Sequence, residues 1–450
     1  MLNFKLLAIV VAVSAVMALF GPLHLLLAFD LSLSSFQGFW EIAGIRFNPT
    51  DVIIGFLSIG VVLRTRLSSD PTERKIPYLF PWLILGCFLS LSYLTAPVNQ
   101  DNLTDPLRIG YQLYRYCWKP ILYFPLTMIL LRDFRKAHVA VTALILGANL
   151  SALQAIKQGF DGIPAAPGPF GHGNALASAL VVPMTLCFAG LIFPRSRFHF
   201  FFSGASLVFL ARALLFSESR GGMASIAAAC GFVGAMSLLL PIGRKRLVQL
   251  APLAILAPLA LLAVRPDLLY RPSVQHAMSV TEGRRASTMQ WRIQERWPVF
   301  IAKAWEKPLL GSGTAVDTGL GDDANTPHNG YISMAVVYGF PVPILYIYFG
   351  YRQIMNCLLV LRRSRDLKKK IWAISVTGPV IGILLHNMIE STFTAQPLLL
   401  SYYWMMCALG AFAAYSTKLE AAELEDELQD ELEDEEDFAE DGLEPAYGRY

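Results

Sequence analysis

Long apolar runs separated by short polar turns fill most of this 450-residue chain. The runs fall at 6–29, 52–63, 78–95, 119–131, 137–156, 175–193, 198–216, 221–240, 247–264, 331–351, 371–389 and 398–415. A helix needs about 20 apolar residues to cross about 30 Å of hydrocarbon, and the pattern predicts about twelve such helices. The second and fourth runs are short for the task and are expected to extend into their flanks or to tilt less. Lys5 precedes the first run, which lacks a small-residue cleavage pattern and reads as a retained first span. The pattern breaks once, at residues 265–329, a polar stretch rich in Arg, Trp, Gly and acids. The chain therefore reads as an all-α polytopic membrane protein with spans one to nine in 1–264, a large, partly helical loop at 265–329, spans ten to twelve in 330–415 and a tail at 416–450.

The turns give the bundle a polarity, because Lys and Arg collect on the cytoplasmic side of a membrane. Arg64, Arg66, Arg74 and Lys75 follow the second run, and Arg132, Arg135 and Lys136 the fourth. Arg195 and Arg197 follow the sixth, Arg244 to Arg246 the eighth, and Arg362, Arg363, Arg365 and Lys368 to Lys370 the tenth. These turns alternate, which places them all in the cytoplasm together with both chain termini. The 265–329 loop then faces the periplasm of a bacterial inner membrane.

Composition supports the class: 54% of residues are hydrophobic, 16% are charged and the mean hydropathy is +0.47. The net charge of +3 hides an asymmetry, since 15 of the 34 acids lie after Tyr415 with only Lys418 and Arg449 as bases. The tail reads as a short helix or a disordered solvated segment, with docking to a basic cytoplasmic partner as the sharper alternative. Without it the membrane part carries about +16, suited to anionic lipid headgroups and to an anionic substrate. Nothing in this pattern points to nucleic acid. The six cysteines lie in or beside apolar runs and read as small core residues, not as a disulfide framework.

The expected periplasmic face concentrates the unusual chemistry. Arg220 stands in a turn too short to be a loop, beside Gly221 and Gly222. Alone it fits a cation snorkelling from a helix end. The large loop adds Arg265, Arg271, Arg284, Arg285, Arg292 and Arg296, on the side where basic residues are disfavoured. An anionic ligand accounts for them, and the planar guanidinium fork suits phosphate. Residues 292–305 show apolar positions at helical spacing, which predicts a helix lying on the bilayer; its tryptophans serve as interface anchors or stack on sugar rings. No two His or carboxylates show metal-ligand spacing on one helix.

Gly171-x-x-Asn174 opens one span and Ser219-Arg220-Gly221-Gly222 another; 292–305 then runs into Pro308-Leu309-Leu310-Gly311-Ser312-Gly313. His328-Asn329-Gly330-Tyr331 and Val337-Tyr338-Gly339-Phe340 complete a series that resembles the O-antigen ligase and polysaccharide polymerase superfamily. The resemblance covers residues 168–393. It implies transfer of a glycan from an undecaprenyl pyrophosphate carrier to an acceptor hydroxyl at the periplasmic face, without metal or other cofactor. The acceptor is lipid A core or another glycan, a protein acceptor being less favoured. The resemblance further implies that Arg220 and Arg292 neutralise the leaving pyrophosphate, with Arg265, Arg284, Arg285 and Arg296 as further substrate-binding residues.

His328 is the candidate base for the acceptor proton, since imidazole titrates near neutral pH. A capping histidine at a helix start is the plainer reading. Asn174, His386 and Glu390 are candidate substrate-binding residues; for His386 a hydrogen bond between helices competes with acceptor binding. A polytopic transporter or lipid-linked oligosaccharide flippase without chemistry is the alternative function. The absence of a convincing internal repeat and the clustering of polar residues at one face weigh against it.

Overall fold

The computed structural model describes residues 4–33, 40–42, 45–67, 76–95, 110–111, 113–264, 290–313, 326–391 and 397–441. The described residues are helical apart from turns and a small hairpin, in which β1 (Trp40–Ile42) pairs antiparallel with β2 (Ile45–Phe47), Trp40 opposite Phe47. Its helices are α1 (Phe4–Leu19), α2 (Leu23–Leu33), α3 (Pro49–Leu67), α4 (Leu79–Thr95), α5 (Lys119–Leu130) and α6 (Phe134–Phe160). They continue with α7 (Gly173–Ile192), α8 (Arg197–Ser217), α9 (Arg220–Ser237), α10 (Pro241–Val264) and α11 (Trp297–Glu306). The last four are α12 (Gly330–Tyr338), α13 (Pro341–Arg363), α14 (Leu367–Ile389) and α15 (Pro397–Asp441). Among the described residues six helices, α6, α7, α8, α13, α14 and α15, are long and apolar enough to cross a membrane, and α1, α2 and α4 contain shorter apolar segments.

Two of the expected spans are interrupted, both at Gly and Pro. The first run turns back at Gly21-Pro22, where proline cannot continue the helical hydrogen-bond ladder. Arg64, at the far end of α3, donates from Nη2 to the carbonyl of Ala18 at 3.2 Å, so α1 reaches the basic turns with its C-terminal end. At its start α2 has His24 within electrostatic reach of Asp133 and Lys136, and it ends with Ser32 against Gly147, midway along α6. The expected single first span is thus a helical pair, and α1 starts away from the basic end instead of at it. The tenth run divides into α12 and α13 because Gly339 takes φ +84° and Pro341 follows. The second run lies within α3, which extends beyond it at both ends. The acidic tail extends α15 in one helix to Asp441, with Lys369 Nζ donating to Glu420 Oε1 at its start.

The centre of the bundle is the seam of α7, α9 and α14, where small residues admit close approach. A Cβ on Gly222 would meet Ala177 Cβ at 2.4 Å, one on Gly378 would meet Val233 Cγ2 at 2.5 Å, and one on Gly382 would meet Val181 Cγ1 at 2.7 Å. This seam aligns the N-termini of α7 and α9 with the C-terminus of α14. The basic turns meet at the opposite end, where Arg135, Arg195, Ile242 and Lys368 border one cavity. On the other side of α15, Phe124, Phe349 and Trp404 form an aromatic core, with Trp404 packed edge-on against both phenyl rings.

Charges also lie inside the apolar helices. Lys119 Nζ bonds Asp51 Oδ1 and Thr50 Oγ1, each at 2.6 Å, while Tyr111 donates to Asp51 Oδ2 and Tyr123 to Asp30 Oδ2. These partners offset the cost of burying Asp51 and Lys119, whereas Asp30 Oδ1 has no hydrogen-bond partner among the described residues. Of the cysteines, all free, Cys117, Cys187, Cys357 and Cys407 are buried.

Candidate active site

Glu390 caps the C-terminus of α14 in an extended conformation and stands where three other elements meet. Its Oε1 accepts from Asn174 Nδ2 at 2.9 Å, and its Oε2 lies 3.1 Å from His328 Nδ1. Arg292 Nη2 approaches Oε1 to 4.0 Å, while Arg292 Nη1 donates to the carbonyl of Ile389 at 3.1 Å. Burial pushes the Glu390 carboxyl up. The hydrogen bond and charge of His328, then the charges of Arg292 and His386, outweigh that and hold it below the usual glutamate range. The Glu390 side chain is 13% exposed and that of His328 31% exposed, so the imidazole is the more accessible member of the pair.

Each partner is placed by its own element. Asn174 sits in the first turn of α7, whose N-cap His172 accepts from the Asn174 amide at 3.2 Å. Gly173 is required there, since a Cβ would meet the Ser217 carbonyl at 2.4 Å. Arg220 opens α9 after its N-cap Ser219, which accepts from the Gly222 amide at 3.1 Å. The neighbouring Gly221 faces Ile389, with the Cβ position 3.4 Å from Ile389 Cγ2, which puts Arg220 beside the α14 terminus that Arg292 also binds.

Arg292 lies in a widened π turn, Arg292–Arg296, closed by the Trp297 amide to the Arg292 carbonyl. Pro298 follows and has no amide to continue a regular helix. The same arrangement recurs at Tyr114–Trp118 before Pro120. Arg296 is buried, its guanidinium 4.8 Å from the Trp291 ring centroid. The helix predicted at 292–305 packs inward through Phe300 and Ala304 against Ala335 and Val336 of α12. Trp305 lies against Phe340, and Trp297 donates to the Pro327 carbonyl at 3.0 Å, steadying the His328 segment.

A reciprocal glycine clasp joins that helix to α12. Gly311 and Gly339 both have positive φ, +68° and +84°. A Cβ on Gly311 would strike the Val337 carbonyl, and one on Gly339 the Leu309 carbonyl, each at 2.4 Å. The amides of Ser312 and Gly313 then bond the Val336 and Val337 carbonyls, and Phe340 bonds Pro308.

His328 itself has φ +48°, a strained left-handed conformation for a residue with a Cβ. The next residue enforces it. Asn329 caps α12 through Oδ1 to the Tyr331 and Ile332 amides and donates from Nδ2 to the Met388 carbonyl, while its own amide bonds Ser391 Oγ. Gly330 packs on Asn387, where a Cβ would come within 2.3 Å of Oδ1.

The structure thus gathers His328, Arg292, Asn174 and Glu390, with Arg220 alongside. His386 is different: it is fully buried, its Nδ1 lies 3.3 Å from Ser225 Oγ of α9, and it joins two helices instead of lining an accessible surface. Arg265, Arg284 and Arg285 lie outside the described residues. Sequence reasoning did not single out Ser391 or Met388 as anchors of Asn329. It also passed over Asp30, Asp51 and Lys119, whose signal was charge within apolar runs. Among the described residues no group of three or more His, Cys, Asp or Glu is arranged to hold a metal ion.

Residues 205–347 match the family model described as O-antigen ligase. The chain is thus similar to O-antigen ligases over 143 of its 450 residues. The matched O-antigen ligase segment contains Arg220, Arg292, the glycine clasp and His328, and stops before His386 and Glu390. Glu390, outside the matched ligase segment, contacts its histidine, and Asn174, also outside, bonds Glu390. Comparison with curated proteins gives no match. The family carries ligase- or polymerase-type membrane function of a glycosyltransferase-like kind.

Proposed function

We propose that the chain transfers a glycan from an undecaprenyl pyrophosphate carrier to an acceptor hydroxyl, lipid A core or another glycan, at the periplasmic face of a bacterial inner membrane. About twelve apolar segments enter the bilayer in this reading, with the basic turns and acidic tail in the cytoplasm. The observation that carries the mechanism is the contact between His328 Nδ1 and Glu390 Oε2 at 3.1 Å, with Arg292 at the same carboxylate. A carboxylate accepting from Nδ1–H fixes the tautomer and leaves Nε2 with a lone pair to take a proton.

In the transfer step the acceptor O–H proton passes to His328 Nε2 as the oxygen forms its bond to the anomeric carbon. The bond from that carbon to the pyrophosphate oxygen breaks, and undecaprenyl pyrophosphate leaves with the electron pair. Arg292 and Arg220 neutralise the charge that develops on it. Attack opposite the leaving group inverts the anomeric centre. Glu390 is a positioning residue that also stabilises the imidazolium, and Asn174 orients Glu390.

The test is reconstitution of the full chain in liposomes with an undecaprenyl pyrophosphate-linked oligosaccharide and a lipid A core acceptor. Coupled product and free undecaprenyl pyrophosphate are expected in equal amounts. Donor crossing the bilayer with neither product formed would establish the flippase reading instead.

A further inference from the structure

At the end of the bundle opposite His328, α6, α7, α8 and α14 leave a cavity of about 650 Å³ between them. Its rim is cationic: Arg135, Arg195 and Lys368 border it and are exposed. Its interior is apolar, with Ile145, Leu186, Phe202, Ile371 and Trp372 among the walls. From Leu186 to the end of α7 at Ile192 the helix rises about 9 Å at about 1.5 Å per residue, so the apolar part reaches below the rim.

The rim also contains two carboxylates, and both serve the backbone. Asp133 accepts from the Arg135 amide at 2.8 Å and Asp366 from the Lys368 amide at 2.7 Å, each as an N-cap. Among the described residues no ion pair joins Arg135, Arg195 or Lys368 to a carboxylate. His199 Nδ1 accepts from the Arg195 amide, and the His138 ring packs edge-on against Trp372 at 4.6 Å.

A soluble anion would engage the rim alone and leave the apolar interior unfilled. A lipid satisfies both parts, and the cavity lies between apolar helices at the end where the basic turns gather. We infer that this cavity binds one anionic phospholipid, its phosphate among Arg135, Arg195 and Lys368 and an acyl chain along the walls beside Trp372. The site is separate from the proposed glycan transfer and does not depend on it.

The full chain is placed in phosphatidylcholine nanodiscs doped with brominated phosphatidylglycerol or brominated phosphatidylcholine, and Trp372 quenching is read as the difference between wild type and Trp372→Phe. Quenching should favour phosphatidylglycerol by on the order of 30- to 100-fold in half-saturating lipid fraction, from two to three cationic contacts. The exposed-residue double variant Arg195→Gln/Lys368→Gln, with an unchanged melting profile, should abolish the preference, and millimolar inorganic phosphate should leave wild-type quenching intact. Equal quenching by the two lipids, a preference that survives in the double variant, or competition by phosphate, which would mark a soluble-anion site, each overturns the proposal.

Discussion

Glu390 Oε2 lies 3.1 Å from His328 Nδ1 although the residues are 62 positions apart, and the same carboxylate accepts from Asn174, 216 positions away. One side chain thereby joins the end of α14, the start of α7 and the segment before α12. Glu390→Gln retains the size and removes the charge that steadies the imidazolium. Transfer is expected to fall by about 100-fold, chiefly in kcat, with KM for the donor little changed. Initial rates over a donor series measure the split.

The position of the Glu390 carboxyl gives a pH dependence with a defined sign. Because its folded value is held below the ordinary 4.5, its contribution to stability is present above that value and is lost as pH falls through the lower folded one. The wild-type melting temperature should therefore decline on acidification below about pH 4.5, more steeply than that of Glu390→Gln. Thermal melts from neutral to acid pH in detergent compare the two slopes.

Asn174 offers a charge test of the same junction. Asn174→Ala removes one hydrogen bond to Glu390, with an expected loss of about tenfold in transfer. Asn174→Asp sets a second carboxylate against Oε1, which should raise the Glu390 pKa and weaken transfer further. The acid limb of the Asn174→Asp pH–rate profile should lie at higher pH than that of Asn174→Ala, and coincident limbs would contradict the coupling.

The glycine clasp is expected to be intolerant of any side chain. Gly339→Ala combines φ +84° with a contact at 2.4 Å, and should cost more than about 1 kcal/mol of stability. Loosening α12 also frees the His328 segment, so activity should fall more than stability alone predicts. Melting temperature and transfer rate of the purified variant, read together, separate the two effects.

How much of this was legible in the sequence follows from the reach of each signal. Hydropathy located α6 to α9, α14 and α15 because their apolar runs are continuous, and the motif spacing marked Arg220, Arg292 and His328. The same averaging ran across Gly21-Pro22 and Gly339-Phe340-Pro341, where two helices look like one span. It also diluted Asp30, Asp51 and Lys119, single charges among many apolar neighbours. The Glu390 junction was beyond local reading, since its partners are brought together only by the α7–α9–α14 seam. In residues 292–305 the spacing marked the helix, and it could not show that Phe300 and Ala304 pack against α12.

The account rests on His328 as the proton acceptor, and the most direct measurement is the single-turnover transfer rate of His328→Ala in proteoliposomes with lipid-linked donor bound. The expected result is a rate lower by about 10²- to 10⁴-fold, with donor binding unchanged and the variant still cooperatively folded. A rate within about threefold of wild type, beyond which general-base loss would show, would contradict it.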